Sequence, residues 1–436
     1  MPPDLQPPPR VSQFWLLLAV SALGLAAVAA IFLVLARTPV LTAWVAPNAF
    51  PRALVVHVNL ATTIWYLSMA NALWTETLPQ SRHRAATVIA AASSAGMAGV
   101  VWQGFATAGP PVLANYIPYV EATGFLVCLA VFVGGGIASS LLSLTRPRDA
   151  AGWGFAIARW PFLMAVIYLV AGWVRHIPLS EALWGAGHVL QFGYVTLLMA
   201  IWLRLAEQGG PSPLPRGFMV GLFCAASLPA TAAPLLLLSG QLDVESLHSF
   251  HTQLMRYASW PAPLLLAASL TLLPATKRQG ALLASISLFV AGIIAGLLIT
   301  SQTTMIPAHY HGTIGAFTLA QMSAALIRVS PPAPAQAAPG GGLRSLQLYT
   351  IGILALIGGL AWSGWLGAPR KVGFDSHGAD LPATLAAATI GTGGAVAILG
   401  ICLFVLLTLP RTAKLCLAHF RPETAPAPAA TFAAAR

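Results

Sequence analysis

Long apolar runs alternate along this chain with short clusters of charge, proline and glycine. A helix needs roughly 20 apolar residues to cross about 30 Å of hydrocarbon, and twelve runs of that kind can be marked between the polar clusters, at about 13–36, 54–78, 85–107, 118–144, 152–174, 182–205, 217–239, 256–274, 280–300, 305–328, 345–367 and 384–409. The fold expected is therefore all-α: a polytopic membrane protein with a short segment 1–12, a twelve-helix membrane domain over 13–410 and an Ala/Pro-rich tail over 411–436. The first run follows a Pro-rich start, is longer than a signal-peptide core and has no clear small-residue cleavage site, so it is expected to be retained as a helix.

Composition agrees with the pattern. Of 436 residues 57% are hydrophobic and 8% charged, with a mean hydropathy of +0.78, outside the range of soluble domains. Lys and Arg then give an orientation, because cytoplasmic loops collect positive charge. The start, the loops after even-numbered runs and the tail hold fifteen of them, from Arg10 to Arg436, against six on the other side: Arg37, Arg52, Arg175, Arg256, Arg370 and Lys371. Both termini are expected in the cytoplasm. The net charge of +11 follows from this asymmetry and scarce carboxylates, so nucleic acid is not needed to explain it. Cys128, Cys224, Cys402 and Cys416 form no CxxC pair, which leaves neither a disulfide framework nor a c-type haem attachment. Pro331 to Gly342 is Pro/Ala/Gly-rich and reads as a flexible cytoplasmic loop.

The chemistry sits in the histidines. His309 and His311 lie two apart in an apolar run; at about 100° per residue they project to nearly opposite faces of a helix, so they suit two centres better than one. Ionisable side chains inside the bilayer are functional candidates by default. With the N-terminus inside, His57 falls early in the second run, His188 early in the sixth, His248 and His251 between the seventh and eighth, and His309 and His311 early in the tenth. Six imidazoles thus reach one depth in the outer third of the membrane. Neutral imidazole is the usual protein ligand for haem iron and suits copper. His248 and His251, three apart, share a face if their stretch is helical. For His83, His176, His377 and His419, in loops or the tail, an ordinary polar role is expected.

In these residues the chain resembles the catalytic subunit I of the haem-copper oxidase superfamily, which includes cytochrome c oxidases and nitric oxide reductases. Ala308-His309-Tyr310-His311 looks like the family's helix-ten His-x-His, and the resemblance extends over nearly the whole chain. It implies a low-spin haem held by His57 and His311, a high-spin haem on His309, and a copper ion on His188 with His251 and His248. Catalysis would then centre on His309, His188 and His251. Arg370 and Lys371 are similar in position to the basic pair that meets haem propionates, a role that carboxylates near a membrane surface require. The resemblance also implies a bacterial plasma-membrane location, O2 or NO as substrate, and a cytochrome c or cupredoxin-like electron donor on the outer face.

Three departures bear on that expectation. The family's adjacent histidine pair is here His248-Ser249-Phe250-His251, so either the loop bends to bring His248 to the metal or copper binding is weakened or lost. Phe192 stands where one large class has its redox tyrosine, four residues after the helix-six histidine, and neither Tyr194 nor Tyr257 replaces it by spacing. The inner half of the membrane carries almost no ionisable group; Glu76, Arg159 and Glu207 lie near cytoplasmic ends and Glu121 near the outer face. A pumping oxidase is not the expectation. Two further readings stand beside gas reduction: a degenerate haem-binding member serving relay, sensing or assembly, and a transporter unrelated to haem, for which a twelve-span count alone would suffice.

Overall fold

The computed structural model describes residues 9–46, 49–208, 210–241, 243–274, 280–330, 340–374 and 380–418. Expectations placed on His377, His419, the stretch 331–339 and the tail from 419 lie outside the described residues. Within the described residues the chain is helical almost throughout, as backbone in hydrocarbon must be if its polar groups are to be satisfied internally. The first half runs α1 (Arg10–Leu35), α2 (Ala49–Val58), α3 (Trp65–Trp74), α4 (His83–Ala106), α5 (Thr123–Leu142), α6 (Ala150–Ile157), α7 (Arg159–Val174) and α8 (Leu179–Glu207). The second half runs α9 (Arg216–Ser227), α10 (Ala232–Ser239), α11 (Val244–Ala258), α12 (Pro261–Thr271), α13 (Gly280–Leu297), α14 (Met305–Val329), α15 (Gly340–Trp365) and α16 (Leu381–Ala418).

Eleven helices among the described residues are long and apolar enough to cross a membrane, some of them built from two of these pieces. That is the makeup of an integral membrane protein. Large side chains such as Trp102, Trp173, Leu272 and Trp365 are exposed on its surface, where lipid rather than water would meet them. The stretch expected as one run over 256–274 is instead divided: α11 ends at Ala258, and α12, with Pro261 at its first position, is only 11 residues long. Pro261 explains the break, since its ring fits the first turn of a helix but not an interior. At the two ends the helices overrun the expected boundaries, with α1 beginning at Arg10 and α16 continuing past Pro410 to Ala418.

α15 packs along α16, α13 along α14, α4 along α5 and α7 along α8, while α1 lies against α3 and α16. Small residues set the closest approaches. A methyl group at Gly292 of α13 would meet the backbone of Gly312 and Thr313 on α14, so the pair can touch only as glycines, the small-residue packing that membrane helices favour. A second, smaller apolar cluster joins α7, α8, α10 and α11 through Met164, Tyr168, Phe192, Leu237 and Leu247.

Two irregular pieces shape the interior. Residues Asn59–Ile64 form a π-helix between α2 and α3, an element that often marks functional sites because its extra residue re-aims the side chains around it. The connection from α4 to α5 is a short antiparallel hairpin, Pro111–Val112 against Tyr119–Val120. Asn59 Nδ2 donates to Val55 O at 2.9 Å and to Pro118 O at 2.6 Å, so the π-helix holds the hairpin in place.

Candidate functional site

His57, His309 and His311 all line one cavity of about 330 Å³, within the size range of small-molecule sites. Its walls come from α1, α2, the π-helix, α8, α14, α15 and α16, and the hairpin tip from Leu113 to Pro118 closes it. Most of the lining is aliphatic. Arg37, Arg370 and Lys371 supply its cations and Tyr116, Tyr194, Tyr310 and Tyr349 its phenols.

The three histidines share one hydrogen-bond arrangement. Nδ1 of His57 lies 2.9 Å from Ala26 O, Nδ1 of His309 2.8 Å from Gly292 O, and Nδ1 of His311 2.7 Å from Pro307 O. A carbonyl can only accept, so each Nδ1 carries a proton, and in the neutral imidazole each Nε2 keeps its lone pair. A carbonyl accepting from the other ring nitrogen is what fixes the tautomer of a metal-ligating histidine. His309 and His311 leave α14 on different sides, the first toward α13 and the second bonded within its own helix.

His188, His248 and His251 form a separate group around Trp184. Ring centroids of the three lie 3.9, 4.1 and 5.3 Å from that of Trp184, and those of His188 and His251 are 5.1 Å apart. α11 is helical, so His248 and His251 do share a face. Each imidazole nonetheless has its Nε2 engaged elsewhere. His188 donates from Nδ1 to Trp184 O at 2.9 Å, which makes its Nε2 the acceptor for the Tyr116 hydroxyl at 3.1 Å. His248 Nε2 donates to Glu181 Oε2 at 2.5 Å. His251 Nε2 meets the Tyr168 hydroxyl at 3.1 Å, and its Nδ1 is buried without a partner. Among the described residues no group of three or more His, Cys, Asp or Glu is disposed to hold a single metal ion.

The basic pair is occupied as well. Arg370 Nη1 donates to Asn115 Oδ1 at 3.2 Å and Lys371 Nζ donates to Leu113 O, so both cations pin the hairpin tip over the cavity. Burial, with Arg370 beside it, pushes the Lys371 ammonium down to about 8. Tyr116 has a positive φ of 67°, uncommon for a bulky residue. This conformation turns its ring onto Gly187, where a methyl group would collide with it, and places its hydroxyl on His188. Burial raises its phenol above the usual range.

Sequence reasoning missed Tyr116, Tyr168, Trp184 as a shared stacking surface, Glu181 and Arg37. One signal was present: Glu181, Trp184 and His188 are spaced three and four apart, which makes a single stripe on α8. For Tyr116, in a hairpin tip, no periodicity could have pointed to the site.

No family model matches the chain. An uncharacterized protein of Rickettsia prowazekii (strain Madrid E) is 24% identical, covering 90% of this chain and 94% of its own length. An uncharacterized protein of Aquifex aeolicus (strain VF5) is also 24% identical, covering 69% of this chain and 80% of its own. The similarity to the first of these spans nearly its full length.

Proposed function

We propose that this chain is the haem-bearing subunit of a membrane oxidoreductase similar to subunit I of the haem-copper oxidases, reducing O2 or NO. The observation that carries the reading is the shared arrangement of His57, His309 and His311: three neutral imidazoles, each tied at Nδ1 to a carbonyl, on one largely apolar cavity. A structural histidine in a helix bundle has no need of a bare Nε2. Haem, when bound, would supply one-electron iron chemistry and an iron able to take up a diatomic gas. His57 and His311 would hold the low-spin haem and His309 the high-spin one, with Arg37, Arg370 and Lys371 as cations for propionate carboxylates. The aliphatic part of the lining would limit water beside a bound haem, and the carbonyl bonds hold each imidazole in its tautomer. In this reading α11 and α12 together complete a twelfth crossing, both termini face the cytoplasm of a bacterial plasma membrane, and a cytochrome c or cupredoxin-like donor docks on the outer face.

Copper fits less directly. His188, His251 and His248 lie near one another, but ligation through Nε2 requires the bonds to Tyr116, Tyr168 and Glu181 to be exchanged for the metal. Those bonds favour a second reading, haem binding for relay, sensing or assembly without gas reduction. Turnover separates the two. Purified protein given a reduced donor should consume NO or O2 and hold about one copper per two haems under the first reading. A haem-loaded, copper-free protein that consumes neither gas belongs to the second.

A further inference from the structure

The hairpin that closes the histidine cavity is built in two parts. Its base is fixed: Pro111 and Val112 pair with Val120 and Tyr119, Glu121 N donates to Pro110 O at 2.9 Å, and Arg52 Nη2 donates to Gly109 O at 2.8 Å. Beyond the turn, Asn59 donates to Pro118 O, and Ile117, Tyr119 and Val120 are buried. The tip, Leu113 to Tyr116, is only half-buried. Among the described residues three hydrogen bonds join it to other elements: Arg370 to Asn115 Oδ1, Lys371 to Leu113 O, and Tyr116 to His188 Nε2. The first two engage cations of the cavity that contains His57, His309 and His311, and the third engages a histidine of the Trp184 group. The tip therefore touches both groups at once.

Each of these bonds is replaceable. Arg370 and Lys371 meet neutral acceptors, an amide and a peptide carbonyl, and among the described residues no carboxylate forms an ion pair with either. A carboxylate bonds such a cation roughly twice as strongly as a neutral acceptor does. A ligand that brings carboxylates into the cavity thus outcompetes the tip for both. Strain acts in the same direction, because Tyr116 sits at φ 67°, a left-handed conformation that a bulky residue keeps only while its surroundings hold it. Once Arg370 and Lys371 have let go, the bond to His188 alone opposes that strain.

We propose that the tip is a strap coupling the two groups of histidines: when the cavity fills with a carboxylate-bearing ligand, the tip yields Arg370 and Lys371 to it, lifts, and withdraws Tyr116, which leaves His188 Nε2 free to take a metal ion. Only hydrogen bonds are exchanged. The His188 proton stays on Nδ1, donated to Trp184 O at 2.9 Å, so the freed Nε2 keeps its lone pair. Such coupling is reciprocal: a metal ion on His188 displaces Tyr116 and so favours the ligand in the cavity. The identity of that ligand as haem rests on the reading above; the strap between Arg370, Lys371 and His188 does not.

The test reads copper affinity by competition with a chelator, with the copper ion alone as probe. In ligand-free protein, Asn115→Ala breaks one attachment of the tip without changing any charge, and it should tighten copper binding at least about twofold. In a Tyr116→Phe background the same substitution should change nothing, because the bond it acts through is already gone. Equal effects in the two backgrounds, no effect in either, or no copper bound by any variant overturns the strap. The second arm keeps the native chain and compares iron protoporphyrin IX with its dimethyl ester, which has the same ring and iron and no carboxylate. The free acid should tighten copper binding about two- to tenfold and the ester should not. Equal tightening by both overturns the role of Arg370 and Lys371. Protein that takes up neither porphyrin overturns the function proposed above and leaves the Asn115 comparison to decide the strap.

Discussion

Tyr116→Phe separates the two accounts of the Trp184 histidines. The substitution removes one oxygen and keeps the ring, whose centroid is 4.5 Å from that of His188, so packing against Gly187 is retained. What disappears is the bond from the hydroxyl to the lone pair of His188 Nε2, the atom a copper ion would need. A typical intramolecular hydrogen bond contributes about 0.5–1.5 kcal/mol net, and every 1.4 kcal/mol is tenfold in affinity. If Tyr116 competes with copper for that lone pair, Tyr116→Phe should tighten copper binding about two- to tenfold. The metal-free protein should lose about 1–3 kcal/mol, because His188 is 7% exposed and its Nε2 is left unpaired. Competition titration of copper against a chelator of known affinity, with thermal unfolding of the apo protein alongside, reads both effects. Copper affinity that is unchanged or weaker in Tyr116→Phe refutes the reasoning and assigns the cluster to structure alone.

Further outcomes follow from the cavity and its helix contacts. Burial holds the Lys371 ammonium down at about 8, so a positive charge beside the cavity is lost through that pH; in a protein loaded with haem as proposed, the midpoint potential of the haem held by His57 and His311 should therefore fall as pH rises through about 8, and Lys371→Met should abolish that step. The same lowered value means that the unfolded chain binds more protons between about pH 8 and the ordinary lysine range, so Lys371's contribution to stability rises with pH across that window. Gly292→Ala forces a methyl group against the backbone of α14 and should cost about 1–3 kcal/mol, seen as a lower unfolding midpoint in detergent. Gly296→Ala meets the His309 imidazole first rather than backbone, so in a haem-loaded protein it should alter the signal assigned to His309 while changing stability much less; an equal loss of stability in both variants would contradict the placement of His309.

Hydropathy makes most of the helices legible because each crossing must carry its own apolar length, and that demand is local. The break at Ser259–Trp260 is visible in hindsight as Pro261, but an apolar run around a proline does not say which side of it remains helical. The histidines were legible by type, and charge counting along the chain suggested one common level for them. Their partition was not. The difference between His57, His309 and His311 with a bare Nε2 and His188, His248 and His251 without one depends on Ala26, Gly292 and Pro307 carbonyls and on Tyr116, Tyr168 and Glu181. Those partners are up to 83 residues distant in sequence. Backbone carbonyls carry no sequence signal at all.

The claim on which the account turns is that the bare Nε2 atoms of His57, His309 and His311 address haem. Reduced-minus-oxidised spectra of the purified protein, taken for the parent chain and for His57→Ala, His311→Ala and His309→Ala, test it most directly. The account predicts a low-spin b-type signal that His57→Ala and His311→Ala abolish, with His309→Ala removing only the gas-reactive component. A parent protein with no haem, or one signal lost identically in all three variants, would contradict it.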